Sequence, residues 1–228
     1  MTWGLGDCFS VYFFGIFVAY LLAGIGYGIT HDAAGDPGTL TTGLALVGQF
    51  GGWFLALAWV SRRKGRGSLH ADFGLVVHGR DLWLVVAGIG LEIVLALMVY
   101  PISNLVNNER QGVVRDLQTS HGLHLALLAL FAGLVAPVCE ELLFRGLLLR
   151  ALRRRFSPVA AVAISALVFA LAHPALDPHL GTFALVPALF GLGAISGAVA
   201  VRRGDLSASI MLHIGFNLLT TLGAVFHK

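Results

Sequence analysis

The stretch GLHLALLALFAGLVAPVCEELLFRGLLLRAL, residues 122–152, decides the fold. A helix needs about 20 apolar residues to cross the hydrocarbon core of a bilayer. This run of 31 residues contains only four Asp, Glu, Lys or Arg side chains, so it predicts a membrane-spanning helix. It is longer than a bilayer requires and contains Pro137, so we expect the span to be kinked or split there.

Other apolar segments flank this run on both sides, at about 9–29, 40–60, 81–101, 158–173, 180–201 and 206–226. Together they predict an all-α, polytopic transmembrane bundle of seven to eight helices. The composition agrees, because 57% of the 228 residues are hydrophobic and only 12% are charged, against about 25% charged in soluble domains. A soluble globular protein and a disordered chain are therefore both excluded.

We expect one integral membrane domain, with amino-terminal helices and a connector in residues 1–121 and the core helices in residues 122–228. The first apolar segment has no basic n-region and no Ala-x-Ala-like cleavage site, so it should be retained as an anchor. Glycines four residues apart are expected to let neighbouring helices pack closely. Such pairs are Gly24 and Gly28, Gly48 and Gly52, and Gly193 and Gly197.

Positive charge alternates along the loops, which predicts the orientation of the chain. Loops 61–80 and 150–157 and the turn at Arg202 and Arg203 are basic, whereas loops 30–39 and 174–179 contain no Lys or Arg. The positive-inside rule then predicts a multi-pass protein of the cell membrane with a cytoplasmic amino terminus. We attribute the net charge of +3 to topology and lipid head groups, and we expect no nucleic-acid partner.

Residues 102–120 form a polar connector, which we expect to be interfacial or solvated. Its two cations, Arg110 and Arg115, oppose this orientation weakly. A role of the connector as a gate is left open.

Ionisable side chains inside the predicted spans are few. Each costs about 2.5–3.5 kcal/mol at bilayer depth, so each requires a partner, a wet cavity or a function. Spacing of four residues places Arg145 against Glu141, which leaves Glu140 about 100° away as a free carboxylate. The same spacing places Phe169 beside His173 on one helix face, and His213 beside Asn217 on another. The residues singled out inside the predicted spans are therefore Glu92, Glu140, Glu141, Arg145, Phe169, His173, His213 and Asn217.

A carboxylate, two imidazoles and an amide are the groups of a hydrolytic site, with a base for water and donors for an oxyanion. No serine or cysteine nucleophile is indicated, because Ser165 has no base at local spacing and Cys139 adjoins the negative Glu140. Two histidines and two glutamates could instead hold zinc. However, HExxH is absent and the spacing demands no metal.

Three motifs occur in order between about residues 122 and 221: EELLFR at Glu140, FALAH at Phe169 and HIGFN at His213. In series they resemble the CPBP intramembrane proteases, which include the type II CAAX prenyl endopeptidases, also called Rce1-like or Abi-like proteins. The resemblance implies a glutamate-dependent intramembrane endopeptidase that uses neither a metal nor a cofactor. Its substrate would be a membrane-associated peptide or lipidated protein within the lipid bilayer.

The resemblance also implies roles for individual residues. Glu140 would activate water, His173 would bind and polarise that water, and His213 with Asn217 would form the oxyanion hole. The supporting residues Glu141 and Arg145 would hold the motif helix, and Phe169 would pack beside His173.

Alternatives to this hypothesis remain at the level of sequence. A non-enzymatic immunity or scaffolding protein could retain the same pocket, and a zinc-dependent intramembrane protease could use the same side chains. A proton- or solute-coupled transporter would explain the buried Glu92, although no inverted repeat supports it. The sequence predicts neither the physiological substrate nor the oligomeric state.

Overall fold

The computed structural model describes residues 2–33, 36–105, 112–176 and 180–226. Within these ranges the protein is built from helices and contains no strand. The helices are α1 Leu5–Thr30, α2 Thr39–Lys64, α3 Leu69–Phe73, α4 Leu84–Leu105, α5 Gly112–Thr119, α6 Gly122–Leu152, α7 Pro158–Leu176, α8 Leu180–Ala184, α9 Val186–Arg203 and α10 Ser207–Phe226.

The predicted all-α membrane bundle is confirmed. Six helical segments of the described chain are long and apolar enough to cross a membrane: Leu5–Thr30, Thr39–Lys64, Gly79–Ile102, Gly122–Leu152, Val186–Arg203 and Ser207–Phe226. Helix α7 is a shorter apolar helix in the predicted position. One boundary was wrong, because the segment predicted at 180–201 is two helices, and Pro187 lies in the first turn of the second. Proline favours such a helix start because it has no N–H to donate.

Helix α6 continues through Pro137 and does not divide into two spans. Two stretches of it, Phe131–Val135 and Glu141–Leu148, are π-helical. In a π-helical turn each N–H bonds a carbonyl five residues back, and such turns occur often at functional sites. The wider turn before Pro137 accommodates the proline without breaking the helix.

Close helix packing depends on some of the predicted glycines. A Cβ at Gly48 would lie 2.8 Å from the carbonyl oxygen of Val18, and one at Gly193 would lie 3.0 Å from Cα of Ala166. The prediction for Gly24 and Gly28 was wrong, since nothing lies within 4 Å of a Cβ at either position. Gly26, on the opposite side of α1, makes the contact instead: a Cβ there would be 2.7 Å from Cα of Thr41.

Helices α4 and α10 approach still more closely. A Cβ at Gly88 would lie 2.1 Å from the carbonyl oxygen of Leu212, and one at Gly215 would lie 2.0 Å from that of Val85. No other residue type fits at these positions unless the backbones separate. This contact fixes the helix that carries Glu92 against the helix that carries His213 and Asn217.

The three basic loops meet at one end of the bundle, beside the amino terminus. Arg154 donates a hydrogen bond to the carbonyl oxygen of Trp3 at 2.6 Å, and its guanidinium lies over the Trp3 ring. Arg150 donates to the carbonyl oxygen of Gly204 at 2.8 Å. This convergence is the arrangement that the alternating charge predicts. That the basic end is cytoplasmic remains a prediction from the positive-inside rule.

The connector is described only in part. Glu109 and Arg110 lie outside the described residues. Within the described part, α5 is amphipathic, and Leu117 on its apolar side is buried.

Candidate active site

The centre of the candidate site is a buried ion pair on α6. Glu141 and Arg145 are 0% and 1% exposed, and Oε1 of Glu141 lies 3.2 Å from a terminal nitrogen of Arg145. Both residues belong to the second π-helical stretch of α6. Two opposite charges buried together avoid the large penalty of a single unpaired charge. The pair therefore neutralises one of the two adjacent glutamates, as the spacing predicts.

His213 on α10 lies between the two glutamates. Its Nδ1 is 3.0 Å from Oε1 of Glu141, and its Nε2 is 3.5 Å from Oε2 of Glu140. A carboxylate can only accept hydrogen bonds, so both ring nitrogens must carry protons for both contacts to be attractive. With such a ring, the positive charges of His213 and Arg145 would balance the negative charges of the two glutamates. His213 thereby links α10 to the motif helix.

Phe169 on α7 packs against the charged cluster and is 0% exposed. Its ring lies beneath the guanidinium of Arg145 at 4.3 Å, a cation–π contact. The ring also meets His173 and His213 edge to face, with centroids 4.9 and 5.6 Å apart. One aromatic side chain therefore contacts groups from all three motifs, which is more than the packing beside His173 that the resemblance implied.

His173 is oriented by its own helix. Its Nδ1 lies 2.9 Å from the carbonyl oxygen of Phe169. Because a carbonyl oxygen only accepts, Nδ1 carries the proton in this hydrogen bond. In a neutral ring, Nε2 is then an acceptor that can bind a hydrogen of water.

Asn217 is held by a carbonyl group that Pro137 leaves without a partner. The N–H of Ala136 bonds the carbonyl oxygen of Phe131, and Pro137 has no N–H to offer to Ala132. The side-chain nitrogen of Asn217 donates to the carbonyl oxygen of Ala132 at 2.9 Å. An amide nitrogen has two hydrogens, so this bond fixes the side chain and leaves a second donor.

Three of the four candidate catalytic residues line one cavity of about 800 Å³. Glu140, His173 and Asn217 come to it from α6, α7 and α10, whereas the buried His213 lies beside Glu140 rather than on the cavity wall. Most of the remaining wall is apolar and includes residues from α2, α4 and α5. These are Leu46, Phe50, Ala96, Val99, Val113, Val114, Leu117, Leu128, Ala132, Ala136, Leu185, Ala188, Leu189 and Phe216, with the polar Glu92, Tyr100, Thr220 and Thr221.

The donor set does not match a zinc site. In the described part of the chain, no group of three or more His, Cys, Asp or Glu side chains is arranged to hold a metal ion. Zinc is bound through the lone pair of a neutral imidazole. Each nitrogen of His213 faces a carboxylate at hydrogen-bond or ion-pair distance instead.

Comparison with models of protein families identifies the segment that carries this site. Residues 122–219 of the chain match the family model described as type II CAAX prenyl endopeptidase Rce1-like. Residues 122–219 are therefore similar to this family, and we refer to them as the Rce1-like segment. The family resemblance predicted from the three motifs is thus confirmed, and it supports a CAAX-type protease at the level of the family. Together with the apolar helices, the match indicates an integral membrane protein.

One curated relative is an uncharacterized 24.3 kDa protein of Escherichia coli, 36% identical over 104 residues. The match covers 45% of this chain and 44% of that protein. No solved structure matches the chain.

The structure brings all seven residues singled out in the three motifs into the Rce1-like segment's buried cluster and cavity wall. Sequence reasoning missed the bond between Asn217 and Ala132, although the position of Pro137 was a signal for a free carbonyl nearby. It also missed Thr220, which lies three residues after Asn217 and so on the same face of α10. Thr220 donates a hydrogen bond to Oε1 of Glu92.

Proposed function

We propose that this protein is a membrane-embedded endopeptidase in which Glu140 activates water to hydrolyse a peptide bond of a membrane-associated substrate. The observation that carries the proposal is that Glu140, His173 and Asn217, which come from three different helices, line one cavity. A base, a group to orient water and an amide donor are the parts that such a hydrolysis requires. The Rce1-like match supports the same chemistry at the level of the family.

In the proposed reaction, a water molecule binds between Glu140 and Nε2 of His173. Glu140 takes a proton from the water as its oxygen attacks the carbonyl carbon of the peptide. The amide hydrogen of Asn217 that does not bond Ala132 stabilises the negative oxygen of the tetrahedral intermediate. His213 would join Asn217 as a second donor only by turning its Nε2–H from Glu140 toward that oxygen, because its Nδ1 faces Glu141. The proton on Glu140 then passes to the leaving nitrogen, the C–N bond breaks, and a carboxylate and an amine are formed.

His213 has a second role in this proposal. Because its ring touches both carboxylates, it holds Glu140 in position through the buried ion pair of Glu141 and Arg145. Glu141 and Arg145 then act as positioning residues that never contact the substrate. Together with the Phe169 ring, which contacts Arg145, His173 and His213, these contacts would let the three motifs act as one site.

The cavity wall favours an apolar or lipid-modified peptide as substrate. Its aliphatic and aromatic lining would stabilise such a group by about 25 cal/mol for each Å² of apolar surface removed from water. A prenylated carboxyl-terminal peptide is the substrate class that the Rce1-like family supports. We place the reaction in the cell membrane, with the amino terminus in the cytoplasm, and without a cofactor.

The test is cleavage of a quenched prenylated peptide by the purified full-length protein in detergent. Glu140→Gln should lower kcat by about 10²- to 10⁴-fold, because it removes the base and preserves the shape of the side chain. Cys139→Ala is the matched control, since Cys139 is the buried neighbour on α6 and its thiol has no role in the mechanism. Cleavage by Glu140→Gln at the full rate would refute the proposed base.

The same assay separates the remaining alternatives. A chelator should leave the rate unchanged, whereas loss of cleavage with recovery on added zinc would overturn the metal-free mechanism. An absence of cleavage by the wild-type protein, combined with a cellular phenotype that survives alanine at Glu140, His173 and His213 together, would favour the immunity or scaffolding alternative.

A further inference from the structure

A second polar site lies on the wall of the same cavity, outside the three motifs. Glu92 on α4 accepts a hydrogen bond from Thr220 on α10, and both side chains line the cavity with Glu140 and Asn217. Glu92 lies outside the Rce1-like segment, and Thr220 follows its last matched residue. This pair is therefore a feature of the present chain that the family match does not include.

The hydrogen bonding of Glu92 is incomplete. Its Oε1 is bonded to Thr220, whereas Oε2 is shielded from solvent and has no hydrogen-bond partner among the described residues. A carboxylate in apolar surroundings is costly unless its oxygens are hydrogen-bonded or paired with a cation. A ligand that brings a donor or a positive charge into the cavity would remove that cost.

The position of the pair relates it to the proposed catalytic groups. Thr220 follows Asn217 by three residues, so it lies about 4.5 Å further along α10. An extended peptide advances about 3.3 Å per residue. A substrate whose scissile carbonyl faces Asn217 would thus place a side chain one or two residues away beside Glu92.

We propose that Glu92 and Thr220 form a specificity subsite that binds a lysine or arginine side chain of the peptide substrate, one or two residues from the scissile bond. This proposal rests on the endopeptidase function proposed above. Apart from Glu92 and Glu140, the cavity wall carries no Asp or Glu among the described residues. A cationic side chain would therefore find its partner at Glu92 while Glu140 remains with the water.

The test uses a set of otherwise identical quenched peptides in which each position near the scissile bond is lysine or its neutral analogue norleucine. At one position the wild-type protein should cleave the lysine peptide with a kcat/KM about tenfold or more above that of the norleucine peptide. Glu92→Gln keeps the size and the bond to Thr220 but removes the charge, so the ratio should fall to about one. Glu92→Asp should retain part of the preference, and Met98→Leu, which changes an outward-facing residue of α4, should retain all of it.

Binding measurements keep this proposal separate from the proposed function. In the Glu140→Gln variant the lysine peptide should bind with a Kd about tenfold lower than the norleucine peptide, and adding Glu92→Gln should make the two Kd values equal. Failure of the wild-type protein to cleave any peptide would refute the endopeptidase function. Cleavage or binding with equal preference for lysine and norleucine at every position would overturn the subsite, and so would a lysine preference that persists in Glu92→Gln.

Discussion

The buried pair of Arg145 and Glu141 makes the sharpest prediction about stability. Arg145→Met retains a long flexible side chain but removes the guanidinium, so Glu141 loses its ion-pair partner on α6 while remaining 0% exposed. The substitution also removes the cation that lies 4.3 Å above the Phe169 ring. We therefore expect the folded protein to be strongly destabilised.

The structure sets the size of this effect. Removing one partner of a buried ion pair costs about 3–5 kcal/mol. Glu141 keeps its hydrogen bond with His213 at 3.0 Å, which offsets part of the loss. The lower end of the range, about 3 kcal/mol, is therefore expected. This value corresponds to a shift of roughly 100-fold in the unfolding equilibrium.

The assay is detergent-induced unfolding of the purified protein, measured as a double-mutant cycle with Glu141→Gln. The double variant carries no unpaired charge from this pair, so it should be more stable than the sum of the two single effects by about 1–3 kcal/mol. Two results would refute the reasoning: an Arg145→Met protein within about 0.5 kcal/mol of wild type, or single effects that simply add.

Two further predictions concern packing and pH. Gly88→Ala would place a Cβ 2.1 Å from the carbonyl oxygen of Leu212, so it should lower the free energy of unfolding by at least about 1–3 kcal/mol in the same assay. The control Gly90→Ala should lower it far less, because nothing lies within 4 Å of a Cβ there. Equal effects of the two substitutions would contradict the close contact between α4 and α10. Burial alone would raise the pKa of Asp72, but hydrogen bonds from Ser61 and Arg66 outweigh it and hold that pKa below its ordinary value of 3.8. The ionised Asp72 therefore stabilises the fold fully above about pH 3.8, and this contribution is lost as the pH falls through the lowered pKa. Asp72→Asn should be less stable than wild type at pH 7. The difference in unfolding free energy between the two proteins, measured across pH, should shrink in acid.

Much of the fold could be predicted because each membrane span must satisfy its own backbone and be apolar. The apolar runs located the helices, and spacing of four residues predicted the partner of Arg145. The spacing of glycines was a weaker guide, because it says nothing about which face of a helix meets a neighbour. In α1 the residue in contact was Gly26, and the predicted pair faced outward.

The geometry of the site was harder to predict, because it depends on contacts between helices. The bond from Asn217 to Ala132 arises because Pro137 frees a carbonyl on a different helix. The place of His213 between two glutamates depends on how α10 packs against α6. No local pattern encodes such contacts. The sequence of α5 shows amphipathic spacing, but that spacing alone does not indicate that α5 lines the cavity, because this depends on how the helices pack.

The most direct test of the central claim, that side chains from separate helices act as one hydrolytic site, is a kinetic double-mutant cycle. Glu140→Gln, His173→Ala and the double variant would be compared by kcat on the same quenched peptide. Residues that act as a unit have non-additive effects, so the account predicts that the double variant loses little more activity than the worse single variant. Losses that multiply in the double variant would show that the two side chains act independently and would contradict the account.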